Sequence, residues 1–262
     1  EQRRFLDLYS RRYEIRVLKE IMTNLFDHRD TDPVDVSPYR EFFRRHSRLD
    51  IDRLVACTNM EEFINALKGN EFYGPLSRIQ NRENALLFDY GMALDLYYFS
   101  LIWHVRKKLF SGNDLAEITK AYGEKFDMLN LQFIFRSKRY FNMAPADIYA
   151  LLIPISYHLH RDDIRKLVES EGVDGFFAAL KTTSYGSMFT TDLYQQPDLE
   201  ELYEKVLDRV HRLTVQRQPY SIAALNTYLY FKEQEVQRII TVIEGIRYGL
   251  GADTICSYVI KH

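Results

Sequence analysis

Tyr122 to Lys138 reads YGEKFDMLNLQFIFRSK, and the chain carries this segment three times. Moved back 113 positions it falls on the stretch beginning at Tyr9, where Tyr9/Tyr122, Leu18/Leu131 and Ile21/Ile134 are identical. Glu14 takes the place of Asp127, Tyr13 that of Phe126, and Ile15 that of Met128. Moved forward 108 positions it puts Glu235 at the Asp127 position, Tyr230 at Tyr122 and Ile239 at Leu131. One amphipathic segment, with a carboxylate ahead of its main apolar stripe, therefore recurs along the chain.

The register holds outside that segment. RLDIDRLV at Arg48 to Val55 returns as RDDIRKLV at Arg161 to Val168, again 113 positions on. Phe63, Ala66, Leu67 and Lys68 recur as Phe176, Ala179, Leu180 and Lys181, and Tyr90, Leu94 and Asp95 as Tyr203, Leu207 and Asp208. A period this long exceeds the roughly 20 to 50 residues of solenoid repeats, so each unit is a small domain of several helices. The expected division is 1–35 as the last helix of a first repeat plus a linker, 36–142 as a second repeat and 143–262 as a third. Only the final helix of the first repeat is present, so its N-terminal part is expected to be missing.

Apolar spacing assigns the elements. Phe5, Leu8, Tyr9, Ile15, Leu18, Ile21, Met22 and Leu25 follow a three-and-four spacing, the mark of a helix with one buried face. His28 to Pro38 is rich in Asp and contains Pro33, which reads as a linker. Further helices are expected over Asn84 to Phe110, Leu115 to Phe141, Asp198 to Gln216 and Ser221 to about Tyr248, with a short one from Ala252 to Ile260. Gly112 and Asn113 are read as an interruption and Asp114 as a cap, Pro145 as a helix start, and Gly186 to Pro197 as the clearest loop. No stretch sustains the period-two alternation of strands, so the fold class is all-α.

Composition excludes several functions. Lys plus Arg total 35 and Asp plus Glu 37, a net charge of −2 that argues against nucleic acid as a partner. Two cysteines, Cys57 and Cys256, are too few for a disulfide scaffold and suit a reducing cytosol. No run approaches the roughly 18 apolar residues of a membrane span, so no membrane insertion is expected. There is no Gly-rich phosphate loop, HExxH or CxxC, so neither cofactor, metal nor small-molecule substrate is expected. His158 and His160, placed on a helix, would point roughly 200° apart and make a poor metal pair. Glu61/Glu62 and Glu200/Glu201 read as first-turn carboxylates favoured by the helix dipole, not as an acid/base dyad. No catalytic residue is assigned.

Two features point to binding. Arg40, Arg44, Arg45 and Arg48 form a basic cluster, echoed by Arg136, Lys138 and Arg139. They read either as a solvated helix face paired with nearby carboxylates or as a patch for an acidic protein partner. The 19 Tyr and 17 Phe suit packed helices and interfaces. Glu14, Asp127 and Glu235 recur at one repeat position, which favours a scaffold role such as a salt bridge between helices. By themselves these residues describe an interaction scaffold, and an unrecognised all-α enzyme would need a convergent polar pocket.

The recurring acidic helix, ALD at Ala93 to Asp95 followed by Tyr97-Tyr98-Phe99, and EGIRYGL at Glu244 to Leu250 resemble the C subunit of archaeal and bacterial A/V-type ATPases. That family is related to the d subunit of eukaryotic vacuolar ATPases, and the resemblance runs from Phe5 to Ile260. An Asn of the family pattern survives only as Asn130, with Val17 and Arg238 in the other copies, and the family is longer at the N-terminus. The resemblance implies a funnel of three helical domains in pseudo-threefold arrangement with no active site of its own. It implies a rotor part on the cytoplasmic face of the membrane, which receives the central shaft and sits on the ion-translocating ring.

Overall fold

The computed structural model describes residues 2–26, 35–82, 85–188 and 199–259, and among them every regular element is a helix. Pro33, Asn84, most of the loop expected at Gly186 to Pro197, and Ile260 lie outside the described residues. In chain order the helices are α1 (Gln2–Phe26), α2 (Arg40–His46), α3 (Ile51–Val55), α4 (Met60–Ala66), α5 (Tyr73–Gln80), α6 (Leu87–Leu109) and α7 (Gly112–Tyr140). There follow α8 (Pro145–Leu151), α9 (Arg161–Glu169), α10 (Gly172–Lys181), α11 (Leu199–Arg217), α12 (Ile222–Arg247) and α13 (Ala252–Val259), with a single 3-10 turn at Gly186–Met188.

Local chemistry sets many of the ends. Asp50 caps α3 by accepting the Arg53 N–H at 3.1 Å, Asn59 caps α4 through the Glu62 N–H at 2.9 Å, and Ser221 caps α12 through the Ala224 N–H at 3.0 Å. Pro145 stands in the first turn of α8, where its missing N–H costs nothing. Glu61 and Glu62 occupy the first turn of α4. The helical run breaks at Phe110 and Ser111, and Gly112 opens α7 with φ +53, so Asp114 falls inside that first turn. Its carboxylate reaches across to the Ala223 N–H of α12 at 3.4 Å instead of capping its own helix.

EGIRYGL closes α12 in a way its glycines dictate. Gly249 takes φ +69, and the Leu250 and Gly249 N–H groups return to the carbonyls of Gly245 and Ile246, both at 3.0 Å. At Gly245 a Cβ would lie 2.8 Å from Ile255 Cγ1, so the glycine lets α13 rest against α12.

The long helices carry the packing. α6 packs on both α1 and α7, and α11 on both α7 and α12. One core gathers α1 to α6 around residues such as Phe5, Leu18, Phe63 and Leu94, with Phe126 from the N-terminal half of α7. A second gathers Leu131, Ile134 and Phe135 from the C-terminal half with α8 to α11. α7 is thus shared between two cores. Truncating a fully enclosed side chain such as Phe126 or Ile134 would cost about 3 to 5 kcal/mol.

The recurring segment is not equally covered in its three copies. Met128, Leu131 and Phe135 of α7 are buried, whereas Val236, Ile239 and Ile243 at the matching positions of α12 are exposed. The same spacing that fills a core in one copy lies open in the other.

Candidate functional site

α1, α7 and α12, which carry the three copies, meet around a common space. A small cavity of about 30 Å³ is lined by Tyr9 and Arg12 of α1, Tyr122 and Lys125 of α7, and Tyr230 and Glu233 of α12. Within each group of three, the residues stand at one repeat position, separated by the same 113 and 108 steps. Beside it opens a cavity of about 830 Å³ whose wall includes Arg16, Leu129 and Gln237, another equivalent triplet. Identical helical register brings these side chains to the same face of each helix, and packing turns the three faces toward one another.

Polar groups organise the floor of this space. Glu233 accepts from the Tyr9 hydroxyl and from the Arg12 guanidinium. Burial pushes the Tyr9 phenol well above its ordinary range. Burial, with Arg12 beside it, pushes the Lys125 ammonium down to about 7. His211 of α11 stacks on Tyr230 at 4.1 Å between ring centroids, and its Nδ1 lies 3.0 Å from Thr227 Oγ1. Burial pushes this imidazole down to about 3, with Lys125 adding to the effect. Tyr230 donates to Asp208 at 3.0 Å, which ties α12 to α11.

A second polar knot lies under the segment between α8 and α9. Asp127, fully enclosed, accepts the N–H groups of His158 at 2.7 Å and Leu159 at 3.0 Å, and the Tyr185 hydroxyl at 2.9 Å. Asn130 exchanges two hydrogen bonds with the Ile153 backbone, at 2.8 and 3.1 Å. Gly123 completes the seat, since a Cβ there would fall 2.4 Å from the Tyr157 ring. The Tyr185 hydroxyl also reaches Glu124 at 2.6 Å. Every partner here is backbone or a packed side chain, so the knot holds a chain segment in place.

The recurring carboxylates therefore have different surroundings. Glu14 is buried, and its carboxyl is pushed up by burial, against a hydrogen bond from Ser47 and the charge of Arg11 at 3.6 Å. Ser47 and His160 stand at one repeat position, but Glu14 takes the Ser47 side chain where Asp127 takes the backbone N–H groups of His158 and Leu159. Glu235 is exposed and pairs with Lys232 of the same helix at 2.6 Å.

The structure places the arginine candidates away from the cavities between α1, α7 and α12. Arg40 pairs with Asp52 at 3.0 Å, Arg44 with Glu41 at 2.8 Å, and Arg45 also with Glu41, while Arg48 is exposed beyond α2. Arg136 pairs with Glu200 of α11 at 3.6 Å, Lys138 donates to the Ser170 carbonyl, and Arg139 lies over the Phe135 and Tyr140 rings at 5.4 and 5.5 Å. His158 and His160 do not stand on a helix. The Asp127 clamp holds His158 in an irregular segment 3.5 Å from Glu124, and His160 is the residue that precedes α9. Among the described residues no cluster of His, Cys, Asp and Glu is placed to hold a metal ion, and no helix is long and apolar enough to cross a membrane.

Sequence reasoning missed Arg12, Lys125 and Glu233. They obey the repeat register, but their types differ between copies, so identity matching passes over them. Comparing positions by register alone would have found them.

Among the described residues the fold is all-helical, and its recurrent helices line a shared cavity. A family model described as ATP synthase (C/AC39) subunit matches residues 1–258. The chain belongs to that family. It is 25% identical over 206 residues to the A-type ATP synthase C subunit of Methanothermobacter thermautotrophicus, covering 75% of this chain and 53% of the relative. It is 23% identical over 223 residues to the protein of that name from Methanocaldococcus jannaschii, covering 80% and 54%. With the Pyrococcus horikoshii C subunit it shares 27% over 251 residues, 88% of this chain and 65% of the relative. The chain thus spans about half to two thirds of the length of these relatives.

Proposed function

We propose that this chain acts as a non-catalytic part of the central stalk of a rotary A/V-type ATPase, joining the shaft to the membrane ring and passing torque between them. In this reading the 830 Å³ cavity between α1, α7 and α12 is the socket for the end of the shaft. The observation that carries the reading is that three equivalent positions of one repeated helix face this cavity. A socket built from packed helices is stiff: Phe126 alone sits against Phe99 at 5.2 Å and Trp103 at 6.0 Å. Such a part works by contact and stays peripheral, on the cytoplasmic face of the membrane. The division into repeats at 1–35, 36–142 and 143–262 belongs to the same proposal. Its support is the matched order of elements, α3, α4, α6 and α7 against α9, α10, α11 and α12.

The exposed arginines of α2 are proposed as a second contact surface. Arg40, Arg44 and Arg45 have partners that water also solvates, so exchanging them for a partner's carboxylates costs little.

The test is capture of shaft and ring proteins from the same organism by the tagged chain, with Arg40, Arg44 and Arg45 replaced by Ala in parallel. Binding of both partners is expected, with one of them weakened by the arginine changes. A chain that stays helical by circular dichroism and binds neither partner would overturn the reading.

A further inference from the structure

The large cavity is lined by five cations, Arg12, Arg16, Lys19, Lys125 and Lys232, and three carboxylates, Glu20, Asp95 and Glu233. Each carboxylate has its own cation. Glu233 pairs with Arg12, Glu20 with Arg16 at 3.2 Å, and Asp95 with Lys19 at 2.6 Å. Lys232 turns away to Glu235 at 2.6 Å. Among the described residues Lys125 is the lining cation left without an ion pair or hydrogen bond. It is half-buried, where an unpaired ammonium is costly.

Tyr98 of α6 lines the same cavity and is 4% exposed. Among the described residues its hydroxyl is the one buried side-chain polar atom with no hydrogen-bond partner. The Tyr122 hydroxyl is its polar neighbour and itself donates to Asn226 at 3.4 Å. Native structures rarely leave such a group unmet without a reason of function or an absent partner. A cation and a neutral donor, both unsatisfied, thus face one space whose walls include Ile15, Phe99, Leu129, Val236 and Ile240.

We propose that Lys125 and Tyr98 form a recognition point for a carboxylate carried on the protein segment that enters this cavity. The proposal rests on the socket reading above and specifies the partner's chemistry: an amphipathic end whose apolar side meets the cavity wall and whose Asp or Glu reaches the floor. A single ammonium beside a neutral hydroxyl matches a monoanion. The apolar walls strengthen binding of a protein segment over that of a free acid, which still reaches the ammonium but leaves them wet.

The groups facing Lys125 are Tyr9 and Arg12 from α1, Asp95 and Tyr98 from α6, His211 from α11, and Tyr230 and Glu233 from α12, with Tyr122 on its own helix. Burial and Arg12 hold its ammonium down at about 7, and His211 is held neutral through that range. An arriving carboxylate raises Lys125 again, so binding takes up a proton above neutral pH. Affinity therefore falls as pH rises, by about tenfold per pH unit at most.

The test is calorimetric titration of the chain with the isolated shaft protein at about pH 6 and about pH 8.5, using wild type, Lys125→Arg, Lys125→Met and Tyr98→Phe. The expected result is roughly tenfold or greater weakening of wild type at the higher pH, with Lys125→Arg binding across the range without that dependence. Lys125→Met is expected to be weak at both values and Tyr98→Phe several-fold weaker than wild type. If Lys125→Met binds like wild type with the same pH profile, the carboxylate site is overturned while the socket stands. If wild type binds no shaft protein, the socket falls, and a second probe decides: glutarate titrated against the Lys125 ¹³Cε resonance. A rise of its titration midpoint that is lost in Lys125→Arg keeps the carboxylate site, and no rise overturns it.

Discussion

Oδ2 of Asp127 lies 2.7 Å from the backbone nitrogen of His158 and accepts its N–H, so a side chain of α7 holds a stretch of backbone 31 residues further on. The same carboxylate takes the Leu159 N–H and the Tyr185 hydroxyl. An irregular segment that passes beneath a core has backbone donors to satisfy, and a carboxylate on the neighbouring helix satisfies two at once.

Asp127→Ala should cost about 3 kcal/mol, because it leaves buried N–H groups without acceptors. Glu235→Ala, at the matching position on an exposed face, should change stability by no more than about 0.5 kcal/mol. Urea unfolding of the two variants checks the contrast. Equal effects would show that the Asp127 bonds contribute nothing beyond a surface carboxylate.

The two glycines of EGIRYGL should fail differently. Gly249→Ala puts a Cβ on a residue at φ +69 and should cost about 1 kcal/mol, with Gly249→Asn milder. Gly245→Leu should push α13 off α12, since even a Cβ falls 2.8 Å from Ile255 Cγ1. Hydrogen exchange over 252–259 separates them: fast exchange is expected for Gly245→Leu alone.

His211 should make the fold sensitive to acid. Its folded value, depressed to about 3, lies below its ordinary 6.5, so the unfolded chain binds a proton that the folded chain refuses. Stability is therefore lost as pH falls from about 6.5 toward 3, at up to about 1.4 kcal/mol per unit. His211→Gln should lose about 2 to 3 kcal/mol less than wild type between about pH 7 and about pH 4. Urea midpoints at the two values measure this, and parallel losses in both proteins would remove His211 as the cause.

Glu233→Gln should weaken the junction of α1 and α12. Glu233 accepts from both Tyr9 and Arg12, and without its charge Arg12 and Lys125 face each other across the small cavity. A loss of about 2 kcal/mol is expected. It should shrink in the double variant with Lys125→Met, which removes the opposing cation. A thermal-unfolding cycle over the four proteins tests the coupling.

Much of this was legible along the chain. The spacing of Leu18, Ile21 and Met22 marked the buried face of α1, and the RLDIDRLV and RDDIRKLV pair marked two matching stretches, which hold α3 and α9. The partners of the polar residues were not legible. Nothing near Asp127 says that it will bind backbone at 158 and 159, in the irregular segment that ends at His160. The arginines of α2 stood out as a cluster, yet Asp52 and Glu41 meet Arg40, Arg44 and Arg45 close by. Arg12, Lys125 and Glu233 drew no notice because each copy carries a different side chain.

By itself the sequence determined the long helices, the apolar spacing along them, and that one segment recurs. Those properties depend on neighbours three and four residues apart, a distance the chain's own period of about 3.6 controls. Only the tertiary structure decided what each face meets. The stripe of α7 fills a core at Leu131 and Phe135, and its counterpart at Ile239 and Ile243 of α12 lies open. It also decided that Tyr98 and Lys125, 27 residues apart, share a cavity with unmet polar groups. Register fixes the direction of a side chain on its own helix, but which helices oppose one another follows from how loops and cores bring them together.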